Sequence, residues 1–324
     1  MDIERYTSPF DCDEVINLWS EIFGEYEAEL EKIQCDGTEE ELNTDIVYLA
    51  KENGKLLGAV HTTISKTEPV LAGMSGVCTT PEARGRGISR ILFEKAMEEI
   101  DSLGVKATFL GTGHPVAIKV YESCGFSFIS CTGAMARVPG SNFGLFCCDY
   151  YSKEHKNIKI VPGNAAMRLP LVPFVHGLSG DCFIDINACI MSRGINFSQV
   201  SCMGLYQKFL DVENAGGVFL GAIDENGILG ATASAMPTDK GIRADFRVRP
   251  GFESAAKDFV SNFEDKYGRI YLQIADADES KIKIAENLGF KKKEEILHSY
   301  RDICLIPMHI FEKGSLSIVG VKIE

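Results

Sequence analysis

The segment from Leu71 to Leu103 constrains the fold most, because it predicts a strand, a tight glycine turn and a helix in direct succession. Residues 71–80 form an extended apolar run that Pro81 ends, and residues 88–103 have the apolar spacing of a helix. Between them lies Arg84-Gly85-Arg86-Gly87-Ile88-Ser89. The first amides of such a helix have no partner within it and lie at the positive end of its dipole. This arrangement is typical of a site for an anion such as a diphosphate.

The spacing of this turn differs from that of other common phosphate loops. The chain has neither G-x-x-x-x-G-K-S/T nor G-x-G-x-x-G followed by an acid about 20 residues on. A turn with two glycines serves only backbone geometry in many proteins. A second block favours a ligand-binding role for the turn. It lies downstream and reads His114-Pro115-Val116-Ala117-Ile118-Lys119-Val120-Tyr121-Glu122-Ser123-Cys124-Gly125-Phe126.

Together the two blocks resemble the GCN5-related N-acetyltransferase (GNAT) superfamily, whose members are acetyl-coenzyme A-dependent acyltransferases. The family's pyrophosphate loop reads Q/R-x-x-G-x-G/A, and its fixed positions are held here by Arg84, Gly87 and Ser89, of which the serine is a departure. The family's later block reads roughly N-x-x-A-x-x-x-Y-x-x-x-G-F. Its positions are held here by His114 in place of Asn, then Ala117, Tyr121, Gly125 and Phe126. The resemblance covers residues 1–130.

The resemblance implies an α/β (α+β) fold, in which a mixed, mostly antiparallel central sheet is flanked by helices. It also implies that acetyl-CoA is the co-substrate and that no metal is needed. The residues expected to bind the coenzyme are Val77, Cys78 and Thr79 through their backbone, Arg84, Gly85, Arg86, Gly87, Ile88 and Ser89 in the loop, and His114 and Tyr121. Tyr121 is also the expected catalytic residue, because the resemblance places its hydroxyl near the leaving sulfur.

The general base is left open by the sequence. Residues 71–80 contain no acid. His61 is a candidate catalytic base, because histidine titrates near neutral pH. The other candidates are Glu68, Glu25 and Glu27. Binding of an amine that is already neutral, without a dedicated base, is an equal alternative.

The second half of the chain repeats the plan of the first. Glu52-Asn53-Gly54 matches Glu225-Asn226-Gly227, Thr79-Thr80-Pro81 matches Val248-Arg249-Pro250, and Cys124-Gly125-Phe126 matches Leu288-Gly289-Phe290. Three landmarks in the same order indicate duplication. We therefore predict two tandem domains, a catalytic one at 1–152 and a second GNAT-like one at 153–324.

The second copy is predicted to be degenerate. Counted from Pro250 as from Pro81, the positions that match Arg84, Gly87 and Ser89 are Glu253, Ala256 and Asp258, and Ala285 stands where Tyr121 stands. Carboxylates at a diphosphate site would repel it. We therefore expect one coenzyme site, in the first domain, with the inert copy as one wall of an acceptor site.

Composition bears on partners and location. The net charge of −13 disfavours nucleic acid, and the triple-lysine run at 291–293 is interpreted as a solvated helix-to-strand turn. The eleven cysteines lack metal-ligand spacing and suit a reducing cytoplasm. No stretch has the length and apolarity of a membrane span, and the first residues do not resemble a secretory signal.

The predicted function is transfer of an acetyl or acyl group from acetyl-CoA to a primary amine of a small molecule or peptide. The alternative is a sensor or regulatory module that binds acyl-CoA without turnover. The acyl acceptor and the oligomeric state, monomer or homodimer, are left open.

Overall fold

The computed structural model describes residues 1–68, 70–177, 183–192, 202–300 and 304–313. It contains two 7-stranded mixed sheets flanked by helices and one 2-stranded ribbon. This confirms the predicted fold class.

The first sheet and its helices lie in residues 2–150. Their elements are β1 (Asp2–Thr7), α1 (Asp13–Phe23), α2 (Glu25–Cys35), β2 (Asn43–Glu52), β3 (Lys55–Ser65), β4 (Leu71–Thr79), a 3₁₀ turn (Pro81–Ala83), α3 (Ile88–Ser102), β5 (Ala107–Gly111), α4 (Pro115–Ser123), β6 (Ser127–Phe128), β7 (Ala134–Arg137) and α5 (Phe143–Tyr150). Helix α1 shows why the local sequence folds this way. Asp13 and Glu14 lie in its first turn, where they complement the dipole, and Val15, Leu18 and Trp19 form its buried face.

The second sheet begins at residue 159. Its elements and their insertions are β8 (Lys159–Pro162), a 3₁₀ turn (Ala165–Met167), α6 (Leu171–His176), β9 (Phe183–Asp185), β10 (Ile190–Met191), α7 (Leu205–Asn214), β11 (Val218–Ile223), β12 (Leu229–Thr238), β13 (Gly241–Val248), α8 (Glu253–Tyr267), β14 (Ile270–Ala275), α9 (Glu279–Asn287), β15 (Phe290–Tyr300) and β16 (Cys304–Lys313). The lysines at 291–293 were expected in a turn, but they are exposed residues within β15.

The two sheets have the same strand order. The first reads β1-β2-β3-β4-β5-β7-β6, and the second reads β8-β11-β12-β13-β14-β16-β15 from the matching edge. In each sheet the only parallel neighbours among the described strands are the fourth and fifth, β4 with β5 and β13 with β14. This equivalence supports the predicted duplication. The predicted boundary at 152–153 falls between α5 and β8, outside every strand of both sheets.

The duplicated Asn-Gly landmarks lie at equivalent hairpins. Asn53 and Gly54 connect β2 to β3 with φ values of 52° and 78°. A two-residue type I′ hairpin turn requires a positive φ at both of these positions. Asn226 and Gly227 lie between β11 and β12, where the Asp224 side chain accepts hydrogen bonds from the amides of Asn226 (2.8 Å) and Ile228 (2.9 Å).

A continuous apolar core joins the two halves. One face of the first sheet, which includes Leu71 and Phe109, packs with α6 and α7 in a single buried cluster. A buried ion pair crosses the same junction, with Arg168 Nη2 2.5 Å from Glu39 Oε1 and Arg168 Nε donating to Glu39 Oε2 at 3.2 Å. The Tyr150 hydroxyl donates a hydrogen bond to the Glu68 carboxyl group. Within the residues given above, no helix has the length and apolarity needed to cross a membrane.

Candidate active site

The loop between β4 and α3 presents an open, uncapped helix start. Gly85 and Gly87 have φ values of 80° and 74°, and a Cβ on either would meet nothing within 4 Å. No side chain caps the N-terminus of α3. Ile88 is buried and anchors the helix, whereas residues 84–87 are exposed and Ser89 is half-buried. The first amides of α3 are therefore accessible to an anionic ligand.

The two loop arginines have different surroundings. Arg86 pairs with Glu52 at 2.7 Å, and this contact holds its guanidinium over the β2 end. Arg84 has no ion pair with any residue that the structure describes. Of the two loop arginines, Arg84 is thus the one whose charge has no carboxylate partner in the described structure.

Strand β4 separates from β5 before the loop. The parallel pairing covers Leu71–Gly73 against Ala107–Phe109, although β4 continues to Thr79 and β5 to Gly111. The facing main-chain groups beyond Gly73 therefore border an opening. A Cβ on Gly73 would lie 2.4 Å from Met203 Cε and 2.8 Å from a Leu169 methyl, so the second half of the chain packs against the base of this opening.

A bulge interrupts β4 within the opening. Ala59 of β3 faces Cys78, but His61 faces Ser75, so Gly76 and Val77 together stand opposite Val60. Gly76 has a φ of 59°, and its carbonyl oxygen accepts a 2.7 Å hydrogen bond from Trp19 Nε1. A bulge turns backbone groups away from the ladder, which is what a backbone contact to a ligand requires.

The strand residues predicted to bind coenzyme alternate in direction. Cys78 is buried in the cluster of α1 and α2, and Val77 packs partly buried on the side of α3. Thr79 is half-buried, and its hydroxyl has no hydrogen bond in the described part of the chain. Because these contacts are expected from the main chain, their side-chain directions do not conflict with the prediction.

Helix α4 places Tyr121 beside β4. Tyr121 is 6% exposed, and its ring centroid lies 4.8 Å from that of Phe93. Burial, and then the proximity of Cys78, raises the pKa of Tyr121 to about 12. The phenol is therefore protonated at neutral pH and can donate a hydrogen bond. His114 is exposed at the N-cap of α4, where its amide donates to Thr112 Oγ1 at 3.1 Å.

The surroundings of His61 do not favour the predicted role as a base. His61 is fully buried, with Nε2 2.9 Å from Asp45 Oδ1 and Nδ1 in contact with Glu31. Burial alone would lower its pKa, but Glu31 and Asp45 outweigh burial and raise the pKa to about 10. An imidazolium that donates from both nitrogens cannot accept a proton from the acceptor. His61 is better described as a fixed positive charge between two carboxyl groups.

The other base candidates are not among the described residues that contact His61 or Ser75. Glu25 and Glu27 are exposed in the first turn of α2. Glu68 precedes β4, at the end of that strand remote from the loop, and burial raises its pKa to about 8 while the Tyr150 hydroxyl opposes this shift.

Sequence reasoning missed the carboxyl group that lies at the bulge. Ser75, which precedes Gly76, donates to Glu31 Oε2 at 3.1 Å, and its oxygen is 3.1 Å from His61 Nδ1. Glu31 comes from α2, far away in sequence, and its side chain is 13% exposed. No motif marks it, because the contact depends on how α2 packs against β3.

The second domain lacks the loop, but not for the reason predicted from sequence. Glu253, Ala256 and Asp258 lie inside α8 rather than in a loop. Residues 80–87 connect β4 to α3, whereas residues 249–252 connect β13 to α8. Because the predicted positions were counted from Pro250 as from Pro81, they fall inside α8. The loop has been shortened, and Phe252 is fully buried at the helix start.

The second domain has Ala285 at the position equivalent to Tyr121, as predicted. Tyr121 and Ala285 are the seventh residues of α4 and α9, which both have 9 residues. The fully buried Ala285 offers no hydroxyl.

The opening of the second sheet is filled by the chain itself. β13 pairs with β14 only over Ile242–Ala244, and the next residue, Asp245, accepts a 2.6 Å hydrogen bond from the Ile186 amide. Asp185 accepts from Ser234 Oγ at 2.6 Å, and Lys281 Nζ is 2.7 Å from Asp245. The ribbon of β9 and β10 thus lies where the first sheet is open. Across the residues with described side chains, no group of three or more potential metal ligands occurs.

An open parallel strand pair, a bulge and an uncapped glycine-rich helix start fit the acyl-coenzyme A site that the resemblance to the GNAT superfamily implies. Comparison with known families agrees, because residues 12–126 match the model of the acetyltransferase (GNAT) family. These residues form a GNAT-family acetyltransferase domain. No curated protein matches the sequence.

Solved acetyltransferase structures are similar to parts of the chain at low identity. The ribosomal-protein-S5-alanine acetyltransferase of Vibrio fischeri is 12% identical, with 50% of this chain and 94% of that chain covered and a TM-score of 0.37. A ribosomal-protein-alanine N-acetyltransferase of Brucella melitensis is 15% identical, covering 43% and 99% with a TM-score of 0.33. The phosphinothricin acetyltransferase of Sinorhizobium meliloti, in complex with AcCoA, is 13% identical, covering 48% and 87% with a TM-score of 0.36.

Proposed function

We propose that the first domain transfers an acetyl or acyl group from acetyl-CoA directly to a primary amine of a small molecule or peptide. The observation that carries this proposal is the uncapped start of α3, where Gly85 and Gly87 are in left-handed conformation and nothing covers them. Backbone amides at a helix N-terminus bind a diphosphate without needing a metal. The match of residues 12–126 to an acetyltransferase family supports the same assignment.

In the proposed complex, the loop from Arg84 to Ser89 holds the diphosphate and the backbone of residues 77–79 holds the pantetheine arm. His114 is exposed at the start of α4, and in this proposal it hydrogen-bonds the coenzyme. Phe252 and the shortened connection at 249–252 give the second domain no equivalent loop. One coenzyme per chain is expected.

The transfer step forms a C–N bond and breaks a C–S bond. The neutral amine attacks the thioester carbon, and the surplus proton of the amine ends on the departing thiolate. Tyr121 donates a hydrogen bond to that sulfur as the C–S bond breaks. Since the pKa of Tyr121 is about 12, the phenol passes its proton to the thiolate only as it takes up the surplus proton of the amine, and it ends the step protonated.

The carboxyl groups beside the bulge favour binding of a cation. Glu31 and Asp45 set two carboxyl groups against the single imidazole of His61. In this proposal a primary ammonium is attracted to the carboxyl groups and gives its surplus proton to water before the neutral amine attacks. Glu31 is the partly exposed member, and we propose it as the group that receives the acceptor's ammonium.

The alternative is a module that binds acyl-CoA without turnover. An acetyl-transfer screen over a panel of primary amines, read by thiol release, separates the two proposals. The enzyme is supported by thiol release that depends on both amine and acetyl-CoA and falls in Tyr121→Phe. Acetyl-CoA binding with no thiol release across polyamines, amino acids and peptide N-termini would instead support the sensor.

A further inference from the structure

A cavity of about 770 Å³ lies at the junction of the two halves, away from the coenzyme loop. Its walls come from β6, α5 and the end of α6, and from Arg249 and Pro250 after β13. This volume is in the range of small-molecule sites. We call it the junction pocket.

The junction pocket contains one cation without a counter-charge. Arg249 makes no ion pair with any described residue, and its Nε and Nη1 are buried without a hydrogen-bond partner in the described parts of the chain. Its guanidinium lies 3.6 Å from the ring centroid of Tyr151, which fixes its position. Among the described residues that line the pocket there is no Asp or Glu. In a chain with a net charge of −13, an arginine without a carboxylate indicates an anion-binding function.

Two further polar groups of the pocket lack partners. His176 is 3% exposed, and neither ring nitrogen has a hydrogen bond within the described structure. Burial lowers the pKa of His176 to about 4, so its ring is neutral and offers one donor and one acceptor. The Tyr151 hydroxyl is likewise buried and unpaired there. Native structures rarely leave several buried polar groups unpaired in one place, so the wall of the junction pocket carries polar groups that the described structure does not pair.

The remaining walls are apolar. They are formed by Phe128, Ile129, Phe143 and Cys147, which suit an aromatic or branched aliphatic body. The single positive charge matches a monoanion. A diphosphate would need several donors, and the connection at 249–252 is too short to supply the loop that the first domain has.

We propose that the junction pocket binds a small carboxylic acid with an apolar body, its carboxylate at Arg249 and its body against Phe128, Ile129 and Phe143. Arg249 follows β13 as Thr80 follows β4, so this site occupies the position where a coenzyme loop would begin in the second domain. It is independent of acyl transfer in the first domain, and its test requires no turnover.

The test is ligand-observed NMR and calorimetry with benzoate, phenylacetate and 4-methylpentanoate, each paired with its neutral amide. The expected result is binding of at least one acid, about tenfold tighter than its amide, a preference that Arg249→Met removes. Arg269→Met is the matched control, because Arg269 is an exposed arginine of the same domain that pairs with Glu312. It should leave the preference unchanged.

A second variant guards against misfolding of Arg249→Met. Cys148 is exposed and lines the pocket, so Cys148→Trp should fill it and abolish binding of acid and amide alike while Arg249 remains. The proposal is overturned if no acid binds, if acid and amide bind equally, or if Cys148→Trp binds as tightly as the unmodified chain. Displacement of benzoate by inorganic phosphate at lower concentration would also overturn it, since the site would then be one for phosphate.

Discussion

Trp19 and Gly76 are joined by a 2.7 Å hydrogen bond from the indole Nε1 to the carbonyl oxygen. This contact ties α1 to the bulge of β4, and the Trp19 ring is fully buried beside it. The spacing of Trp19 from Val15 and Leu18 on α1 is that of a core residue. The structure adds that the same side chain holds the strand distortion at the centre of the proposed site.

Trp19→Phe should keep most of the packing and remove this hydrogen bond. Loss of a donor to a buried carbonyl costs about 1–3 kcal/mol, so unfolding monitored by circular dichroism should occur at lower denaturant concentration. The bulge would also be less well held, so kcat/KM for acetyl-CoA should fall. Unchanged kcat/KM alongside reduced stability would show that the indole hydrogen bond is purely structural.

Tyr121→Phe should reduce kcat by about 10²-fold, a typical contribution of a positioned proton donor, and should lower turnover more than the affinity for acetyl-CoA. The pKa of Tyr121 is about 12, so its hydroxyl stays protonated well above neutral pH. The rate of the unmodified chain should therefore show no decline assignable to this phenol between pH 7 and about pH 10. Equal turnover in the phenylalanine variant would assign Tyr121 to packing against Phe93.

Ser89→Glu and Ser254→Glu form a matched pair. Each serine is the second residue of its helix, α3 or α8. A carboxylate at Ser89 would repel the diphosphate, so acetyl-CoA should no longer raise the melting temperature. The same change at Ser254 should leave the full shift, because α8 begins without a loop. A loss of the shift in Ser254→Glu would place a coenzyme in the second domain and contradict the assignment.

Glu68→Gln tests the consequence of burying a carboxyl group at the junction. Burial raises the pKa of Glu68 to about 8 from 4.5, so between these values the folded chain holds a proton that the unfolded chain has lost. The contribution of Glu68 is therefore favourable at low pH and is lost as pH rises toward 8. Glutamine cannot ionise and still offers an oxygen to the Tyr150 hydroxyl.

Relative to the unmodified chain, Glu68→Gln should gain roughly a few kcal/mol of unfolding free energy between pH 5 and pH 9, measured by urea denaturation. The control is Glu94→Gln, at an exposed residue that pairs with Arg90. The difference in unfolding free energy between Glu94→Gln and the unmodified chain should not change by this amount with pH. A flat difference for Glu68→Gln as well would mean that water or relaxation ionises Glu68 normally in the folded state.

Much of the fold was predictable because it depends on local signals. Asn53-Gly54 marks a hairpin, Pro81 marks the end of β4, and the glycines before Ile88 mark the start of α3. Strand β4 and helix α3 begin where the sequence predicts and end one residue earlier, at Thr79 and Ser102. The duplication was predictable because equivalent turns reuse the same dipeptides, as at Gly125 and Gly289, which both precede a strand.

The proposed site was only partly predictable, because several of its contacts join distant segments. Glu31 reaches His61 through the packing of α2 on β3, and no sequence spacing records that contact. His61 alone suggests a base, whereas His61 between two carboxyl groups is a cation. The shortened connection before α8 was misjudged because Pro81 and Pro250 match while the lengths after them differ.

The core shared by the two halves has a consequence for how such a chain can be divided. Leu71 and Phe109 belong to the sheet that carries the proposed site, yet they are covered by α6 and α7 from beyond residue 152. A fragment ending there would present this apolar face to water and would tend to aggregate. Covering this face is therefore a structural role of the second half of the chain, and that role does not depend on a coenzyme loop there.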